Sequence, residues 1–233
     1  MDMEKKQGIS QEGLKLIACV TMLIDHIGAT FVPWMWLRVV GRIAFPIYCF
    51  LLAEGAFYTR NPRRYGTRLA IGALLAELPF ELLFFGSISM SHSSVMVTLL
   101  LGFIAIESMK KWPKMWPLAF LVCAIVAEAL GTDYGGVGVM LMVFFALTRK
   151  GSVLFRTVGV FIICWMIGGF AWQVGPVNVP MEIVGVAAMV PISLYNGTKA
   201  THSKAIQWAF YLFYPVHLTV LLLIAVLKYG YLL

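Results

Sequence analysis

Charged residues are scarce in this sequence: Asp, Glu, Lys and Arg together make up 12% of its 233 residues. A soluble domain usually contains about 25% charged residues, so this composition excludes an ordinary soluble globular protein. Hydrophobic residues make up 61% of the chain, and the mean hydropathy is +0.86. Apolar runs long enough to cross a bilayer recur along it. We therefore predict an all-α fold, a polytopic bundle of transmembrane helices in contact with the lipid bilayer.

Cysteine patterns that mark disulfides or metal sites are also missing. The four cysteines, Cys19, Cys49, Cys123 and Cys164, lie singly in apolar runs without Cys-x-x-Cys spacing. Such cysteines are typical of small buried core residues, so we predict neither disulfides nor metal ligands among them. No Ala-x-Ala-like cleavage site follows the first apolar run. We interpret that run as a retained helix and not as a signal peptide.

Acidic residues are fewer than basic ones, 11 against 18, which gives a formal net charge of +7. In a soluble protein this excess would suggest a nucleic-acid partner. Membrane proteins, however, concentrate Lys and Arg in their cytoplasmic loops, so we expect no nucleic-acid partner here.

Polar, glycine and proline residues divide the chain into nine apolar segments. We predict about nine transmembrane helices, at residues 14–33, 37–58, 69–86, 94–107, 115–130, 136–148, 154–172, 181–195 and 205–227. Because the connections are short, consecutive helices should be antiparallel. Residues 1–233 should form a single transmembrane domain.

The distribution of basic residues indicates the orientation of these helices. With the N-terminus inside, 15 of the 18 Lys and Arg residues fall in cytoplasmic segments, and the exceptions are Arg38, Arg42 and Lys228. Cytoplasmic loops of membrane proteins carry such an excess, so the pattern predicts an N-in, C-out topology.

The first predicted helix contains two adjacent ionisable residues, Asp25 and His26. An ionisable side chain inside a membrane costs at least about 2.5 kcal/mol on insertion scales, so it is rarely present without a role. Arg42 enters the second helix at a similar depth and is expected to neutralise Asp25. The last helix places His217 near mid-membrane depth. Imidazole takes up a proton near neutral pH, so we predict a catalytic site of these four residues with His26 as the general base.

Two other interpretations of the histidines stay open at this point. Each can be a hydrogen-bonded core residue without a catalytic role. The pair can also bind a metal, although His-x-x-x-His and Glu-x-x-His spacings are absent, and we expect no metal.

The loop TRNPRRYGTR, on the predicted cytoplasmic side, carries four arginines, Arg60, Arg63, Arg64 and Arg68. Guanidinium groups match phosphate geometry, so we interpret the loop as a docking site for a phosphorylated cytosolic ligand. The alternative is simple marking of the cytoplasmic side by positive charge.

Four further residues are candidates for substrate binding. The segment GTDYGGVGV on the predicted outer side contains Asp133 and Tyr134, which are placed to hold an acceptor. Glu54 lies near the cytoplasmic end of the second helix, and Glu77 shares a face of the third helix with Glu81.

Several motifs resemble the TraX family. They are LKLIACVTMLIDHIG, LRVVGRIAFPIYCFLLAEG, YTRNPRRYGTRL, LLAELPFELLF, VTLLLGFIAIE, TDYGGVGVML, LYNG and FYLFYPVHL, and they occur in order through nearly the whole chain. The founding member is linked to acetylation of the N-terminal amine of F-type conjugative pilin. The family is also similar to membrane acyltransferases of the acetyl-CoA:heparan glucosaminide N-acetyltransferase type. Those enzymes use a membrane-embedded histidine to pass an acyl group from a cytosolic donor to an acceptor at the far side.

The resemblance implies a multi-pass acyltransferase of the bacterial inner membrane, with acetyl-CoA as donor and an amine or hydroxyl acceptor. The acceptor can be a peptide N-terminus, a glycan or a small molecule. The phosphates of acetyl-CoA are then expected near Arg60, Arg63, Arg64 and Arg68. A proton-coupled secondary transporter or flippase is the main alternative, because Asp, His and Glu relays also serve transport. A non-catalytic membrane scaffold is a third possibility, but it explains the intramembrane charges poorly.

Overall fold

The computed structural model describes residues 7–88, 92–169, 171–174, 176–201 and 203–230. Its α-helices, in chain order, are α1 (Gln11–Thr30), α2 (Met35–Gly41), α3 (Ala44–Tyr58), α4 (Pro62–Phe85), α5 (Val95–Lys111), α6 (Trp116–Ala129), α7 (Gly135–Leu147), α8 (Val153–Ile167), α9 (Met189–Ser193) and α10 (Lys204–Tyr229). Between α8 and α9 lie an antiparallel hairpin, β1 (Ala171–Val174) and β2 (Val177–Pro180), and a 3₁₀ helix (Met181–Ala188).

Three helical stretches of the described residues are long and apolar enough to cross a membrane, namely Gln11–Thr30, Met35–Tyr58 and Ala205–Tyr229. Shorter apolar helices accompany them at Trp116–Ala129, Gly135–Leu147, Val153–Ile167 and Met181–Ser193. Large apolar side chains cover the outside, and Leu154 and Leu227 are 74% and 86% exposed. Such an apolar exterior suits contact with lipid. The helices also satisfy the backbone polar groups, which hydrocarbon cannot do. The protein is a helical membrane protein, while nine crossings and the N-in, C-out orientation stay predictions.

Each of the nine predicted segments overlaps one of these helices, but three segments were wrong in detail. The segment predicted at 154–172 ends as a helix at Ile167, where Gly168 and Gly169 adopt left-handed φ angles of 72° and 84° and the hairpin follows. The segment at 181–195 is a 3₁₀ helix followed by the short α9. Apolar composition alone does not distinguish these geometries, because all of them bury similar side chains.

The second predicted segment, 37–58, is also not one continuous helix. It divides into α2 and α3, and Arg42 lies in the turn between them. Gly41 ends α2, and its lack of a side chain allows Asp25 to approach the backbone closely. The break therefore directs Arg42 into the interior at the depth of Asp25.

The core of the bundle is centred on α3. Its residues Ile47, Cys49, Ala53 and Ala56 are at most 1% exposed, and the helix packs against α1, α5, α7 and the 3₁₀ helix. The last helix, α10, packs along α4 and against α1. This arrangement brings α10 against α1, and the 3₁₀ helix against α2 and α3, although these partners are far apart in sequence.

Candidate active site

Four charged residues, Asp25, Arg38, Arg42 and Glu182, form a network that connects α1 and α2 to the 3₁₀ helix; we call it the polar cluster. Each carboxylate oxygen of Asp25 accepts a hydrogen bond from a different arginine. Arg38 Nη1 donates to Oδ2 at 2.7 Å, and Arg42 Nη2 donates to Oδ1 at 2.5 Å. Arg42 Nη1 donates to Glu182 Oε1 at 2.5 Å. Leaving one member of a buried pair unpartnered costs about 3–5 kcal/mol, so the charges hold one another in place.

The sequence predicted only the Asp25–Arg42 pair of this network. Arg38 precedes Arg42 by four residues, and its backbone carbonyl accepts a hydrogen bond from Arg42 Nε at 3.1 Å. That spacing was the available signal for Arg38. Glu182 is 140 residues away from Arg42 in sequence, and no pattern pointed to it.

His26 and His217 are in direct contact, although 191 residues separate them. His26 Nδ1 and His217 Nε2 are 2.7 Å apart, and the two rings are nearly parallel, with 9° between their planes. His217 Nδ1 lies 2.8 Å from the backbone carbonyl of Phe213, one turn earlier in α10. The structure thus brings both predicted histidines into one hydrogen-bonded chain.

The direction of this chain defines the tautomers of the neutral histidines. A carbonyl oxygen only accepts, so His217 Nδ1 must donate to Phe213, and His217 Nε2 is left as an acceptor. His26 Nδ1 then donates to His217 Nε2, which leaves the lone pair of His26 on Nε2. Within the described residues no group hydrogen-bonds to that atom. His26 Nε2 is therefore the atom of the pair that is free to take a proton.

Aromatic rings enclose the histidine pair. Phe84 and Tyr214 meet His26 edge to face at centroid distances of 5.3 and 6.2 Å, and Phe213 stacks on His217 at 4.8 Å. His217 is 6% exposed, whereas His26 is only half-buried. Packing on several sides fixes the rings, and a general base needs such a fixed position.

Asp133 and Tyr134 lie in the turn between α6 and α7, within electrostatic reach of the polar cluster. Tyr134 has a φ of +69°, the only such value at a non-glycine residue of the described chain, and its ring stacks on Phe45 at 3.7 Å. Strained backbone of this kind is often found at functional sites. The side chain of Asp133 stays accessible, but loss of surrounding water raises its pKa to about 6, against the opposing effect of Arg42.

A cavity of about 510 Å³ runs from the start of α1, α4 and α10 into the bundle; we call it the large cavity. Lys15, Arg68 and Lys199 line the end that contains these helix starts, which we call the basic mouth. Tyr214 lines the cavity ten residues into α10, about 15 Å from the start of that helix at a rise of ~1.5 Å per residue. The large cavity therefore connects the basic mouth with the neighbours of the histidine pair.

Of the four arginines predicted to bind the donor, only Arg68 lines this cavity. Its guanidinium packs over the ring of Tyr211 at 5.0 Å. The other three, Arg60, Arg63 and Arg64, are exposed at the start of α4 and do not line it. Lys15 and Lys199 line the mouth instead, and no sequence pattern distinguished them from the other basic residues of the same side.

The two glutamates predicted to bind substrate have protein partners. Glu54 lines the large cavity and pairs with Arg149, whose Nε lies 2.7 Å from Oε1. Glu77 Oε1 accepts hydrogen bonds from Ser94 N at 3.0 Å and from Ser94 Oγ at 2.7 Å. Ser94 precedes α5, so Glu77 holds the beginning of that helix.

The described residues contain no group of three or more His, Cys, Asp or Glu side chains arranged to hold a metal ion. The four cysteines are buried and free.

Comparison with known proteins gives a consistent relationship. The model of the TraX protein family matches residues 10–225. A probable fimbrial assembly protein FimC, serogroup H1, of Dichelobacter nodosus is 27% identical, over 89% of this chain and 92% of its own length. An uncharacterized protein, RP591, of Rickettsia prowazekii (strain Madrid E) is 36% identical over 75 residues, 32% of this chain and 28% of that protein. No solved structure matches the chain significantly. Since the family model extends from the start of α1 almost to the end of α10 and includes both histidines and the whole polar cluster, the chain belongs to the TraX family.

Proposed function

We propose that the protein is a membrane acyltransferase that moves an acetyl group from acetyl-CoA to an amine or hydroxyl acceptor. The observation that carries this proposal is the free lone pair of His26 Nε2, in a histidine pair that contacts Tyr214 of the cavity wall. A base next to a ligand-sized cavity with a basic mouth is what transfer from an acyl-CoA requires.

The large cavity suits the shape and charge of acetyl-CoA. The donor carries phosphates at one end and the thioester at the other, joined by a slender arm. Arg68, Lys15 and Lys199 at the basic mouth provide positive charge for the phosphates, and the volume of about 510 Å³ is typical of a ligand site. With its phosphates at the mouth, the donor extends its thioester towards Tyr214 and the histidine pair. Donor binding thus involves Arg68 more than Arg60, Arg63 or Arg64.

His26 acts as the general base in this proposal. Its Nε2 removes a proton from the acceptor amine or hydroxyl as the acceptor attacks the thioester carbonyl. His217 receives the Nδ1–H of His26 and is anchored on Phe213, so it orients the base and spreads the charge that forms on it. The polar cluster next to His26 holds α1, α2 and the 3₁₀ helix in register around the site.

The relatives support a pilin-type acceptor. The TraX family is linked to pilin acetylation, and one relative is named a probable fimbrial assembly protein. The acceptor is then a peptide N-terminus that approaches from the side of Asp133 and Tyr134. The protein lies in the bacterial inner membrane with nine crossings and its basic mouth in the cytoplasm. A reporter between Asn61 and Arg64 should be cytoplasmic and one after Leu233 extracytoplasmic; both on one side would contradict this topology.

Turnover in detergent tests the function. The purified protein should release free thiol from acetyl-CoA when an acceptor is present, without any gradient. The His26→Gln variant should lose about 10²- to 10⁴-fold in kcat, the usual contribution of a general base, while it still binds acetyl-CoA. The His217→Gln variant, which removes only the support of the base, should lose less.

The alternative functions predict different results. A protein that binds no acetyl-CoA in detergent but moves a solute in sealed vesicles would be a transporter. A His26→Gln protein with full activity would show that His26 is not the base. Mass spectrometry of surface proteins from deletion and wild-type cells would identify the acceptor by the missing acetyl group.

A further inference from the structure

Tyr214 lies between the large cavity and the histidine pair. Its side chain is 5% exposed, and the exposed part lines the cavity. Its ring meets the edges of both histidines, with centroid distances of 6.2 Å to His26 and 5.5 Å to His217. A thioester that reaches the inner end of the cavity therefore contacts Tyr214 next to His26.

The hydroxyl of Tyr214 carries a proton that it can donate. Within the described residues no group accepts this proton. Val95, the first residue of α5, lines the cavity together with Tyr214. The phenol therefore has no competing protein acceptor when a ligand enters the cavity.

We propose that Tyr214 is a further catalytic residue, which donates a hydrogen bond to the thioester oxygen as negative charge develops on it. The inference rests on the proposed acyltransferase function and adds to it the group that stabilises the oxyanion.

In the reaction, Tyr214 and His26 act in two steps, the attack of the acceptor on the thioester and the collapse of the oxyanion. The lone pair of the acceptor nitrogen or oxygen forms a bond to the thioester carbon, while the carbonyl π electrons move to the oxygen that Tyr214 holds. His26 Nε2 takes the proton of the acceptor. When the oxyanion collapses, the C=O bond reforms, the C–S bond breaks, and the thiolate leaves with its electron pair. The proton on His26 passes to that thiolate, which gives free thiol, acetylated acceptor and neutral His26.

Tyr229, in the last turn of the same helix, provides a control. It does not line the large cavity, and its ring stacks on Phe31 at a centroid distance of 6.4 Å. Its ring is not in contact with either histidine among the described aromatic pairs.

The test compares Tyr214→Phe with Tyr229→Phe in thiol release from acetyl-CoA. Removal of one oxyanion donor costs about 10²- to 10³-fold in kcat, so Tyr214→Phe should show this loss with little change in the KM for acetyl-CoA. Tyr229→Phe should keep kcat near the wild-type value. Difluorotyrosine at position 214 keeps the hydroxyl but makes it more acidic. It should move the loss of activity at high pH to lower pH, a change that a purely structural role would not produce.

The outcomes separate the two proposals. If the wild-type protein releases thiol and the Tyr214→Phe variant keeps full kcat, the role of Tyr214 is overturned and the acyltransferase proposal stays intact. If Tyr214→Phe fails to fold, the difluorotyrosine protein decides, and an unchanged kcat and pH profile there also overturns the role. A wild-type protein that binds no acetyl-CoA and releases no thiol overturns both proposals.

Discussion

Gly41 and Asp25 are so close that a methyl group on Gly41 would lie 2.2 Å from both Cβ and Oδ1 of Asp25. No real Cβ contact is that short, so one of the two helices would have to move. Gly41 therefore sets the separation of α1 and α2 at the depth where Asp25 binds Arg38 and Arg42.

The Gly41→Ala substitution is expected to disrupt the polar cluster. Displacement of Asp25 breaks a buried ion pair, which costs about 3–5 kcal/mol in the free energy of unfolding. Gly66→Ala is the matched control, because its added methyl lies 3.2 Å from the nearest atom of the Phe103 ring, a much smaller overlap. Unfolding in detergent would measure both, and equal stability of the two variants would contradict the role of Gly41.

Arg42 should matter more for stability than either of its carboxylate partners. The Arg42→Gln substitution leaves Glu182 without a cation, whereas Asp25 keeps Arg38. We expect a loss of about 3–5 kcal/mol for Arg42→Gln and a smaller loss for Asp25→Asn. Adding Glu182→Gln to Arg42→Gln should restore part of the stability, because it removes the unpaired buried charge. Thermal unfolding of the single and double variants in detergent tests this, and additive losses would argue against the network.

Arg68 should contribute to donor affinity and Arg63 should not. Arg68 lines the large cavity, and Arg63 is exposed on the same helix, outside it. Loss of one charged contact to a phosphate is worth about 1.4 kcal/mol or more, so Arg68→Gln should weaken acetyl-CoA binding roughly tenfold. Arg63→Gln is the control and should bind like the wild type. Calorimetric titration with acetyl-CoA measures both, and equal losses would indicate a general charge effect.

Asp133 should give the protein a specific pH dependence. Loss of surrounding water raises the pKa of its carboxyl from 3.8 to about 6, so between these values the folded state binds more protons than the unfolded state. Stability contributed by this residue is therefore lost as the pH rises from about 4 to about 6. The Asp133→Asn variant should lack this pH-dependent loss of stability. Unfolding midpoints in detergent across that range test it, and identical pH profiles would place Asp133 in an ordinary aqueous environment.

The sequence by itself determined the class of protein and the chemistry it contains. Long apolar runs with few charges require a helical membrane protein, because only helices and closed barrels satisfy the backbone in lipid. Within those runs Asp25, His26, Arg42 and His217 were recognisable, since an ionisable group in hydrocarbon is costly unless it has a partner. The Asp25–Arg42 pair was predictable from depth alone.

Only the tertiary structure decided how those groups meet. The position of a residue in a helix gives its depth along the bundle but not its neighbour on another helix. The contact of Glu182 with Arg42 and the contacts of Tyr214 with both histidines were therefore not predictable. The tautomers of the histidines follow from the Phe213 carbonyl, which is a matter of side-chain geometry. The choice of Arg68 over Arg60, Arg63 and Arg64 has the same origin. All four carry the same charge on the same side, and the packing of α4 against α10 directs one of them into the cavity.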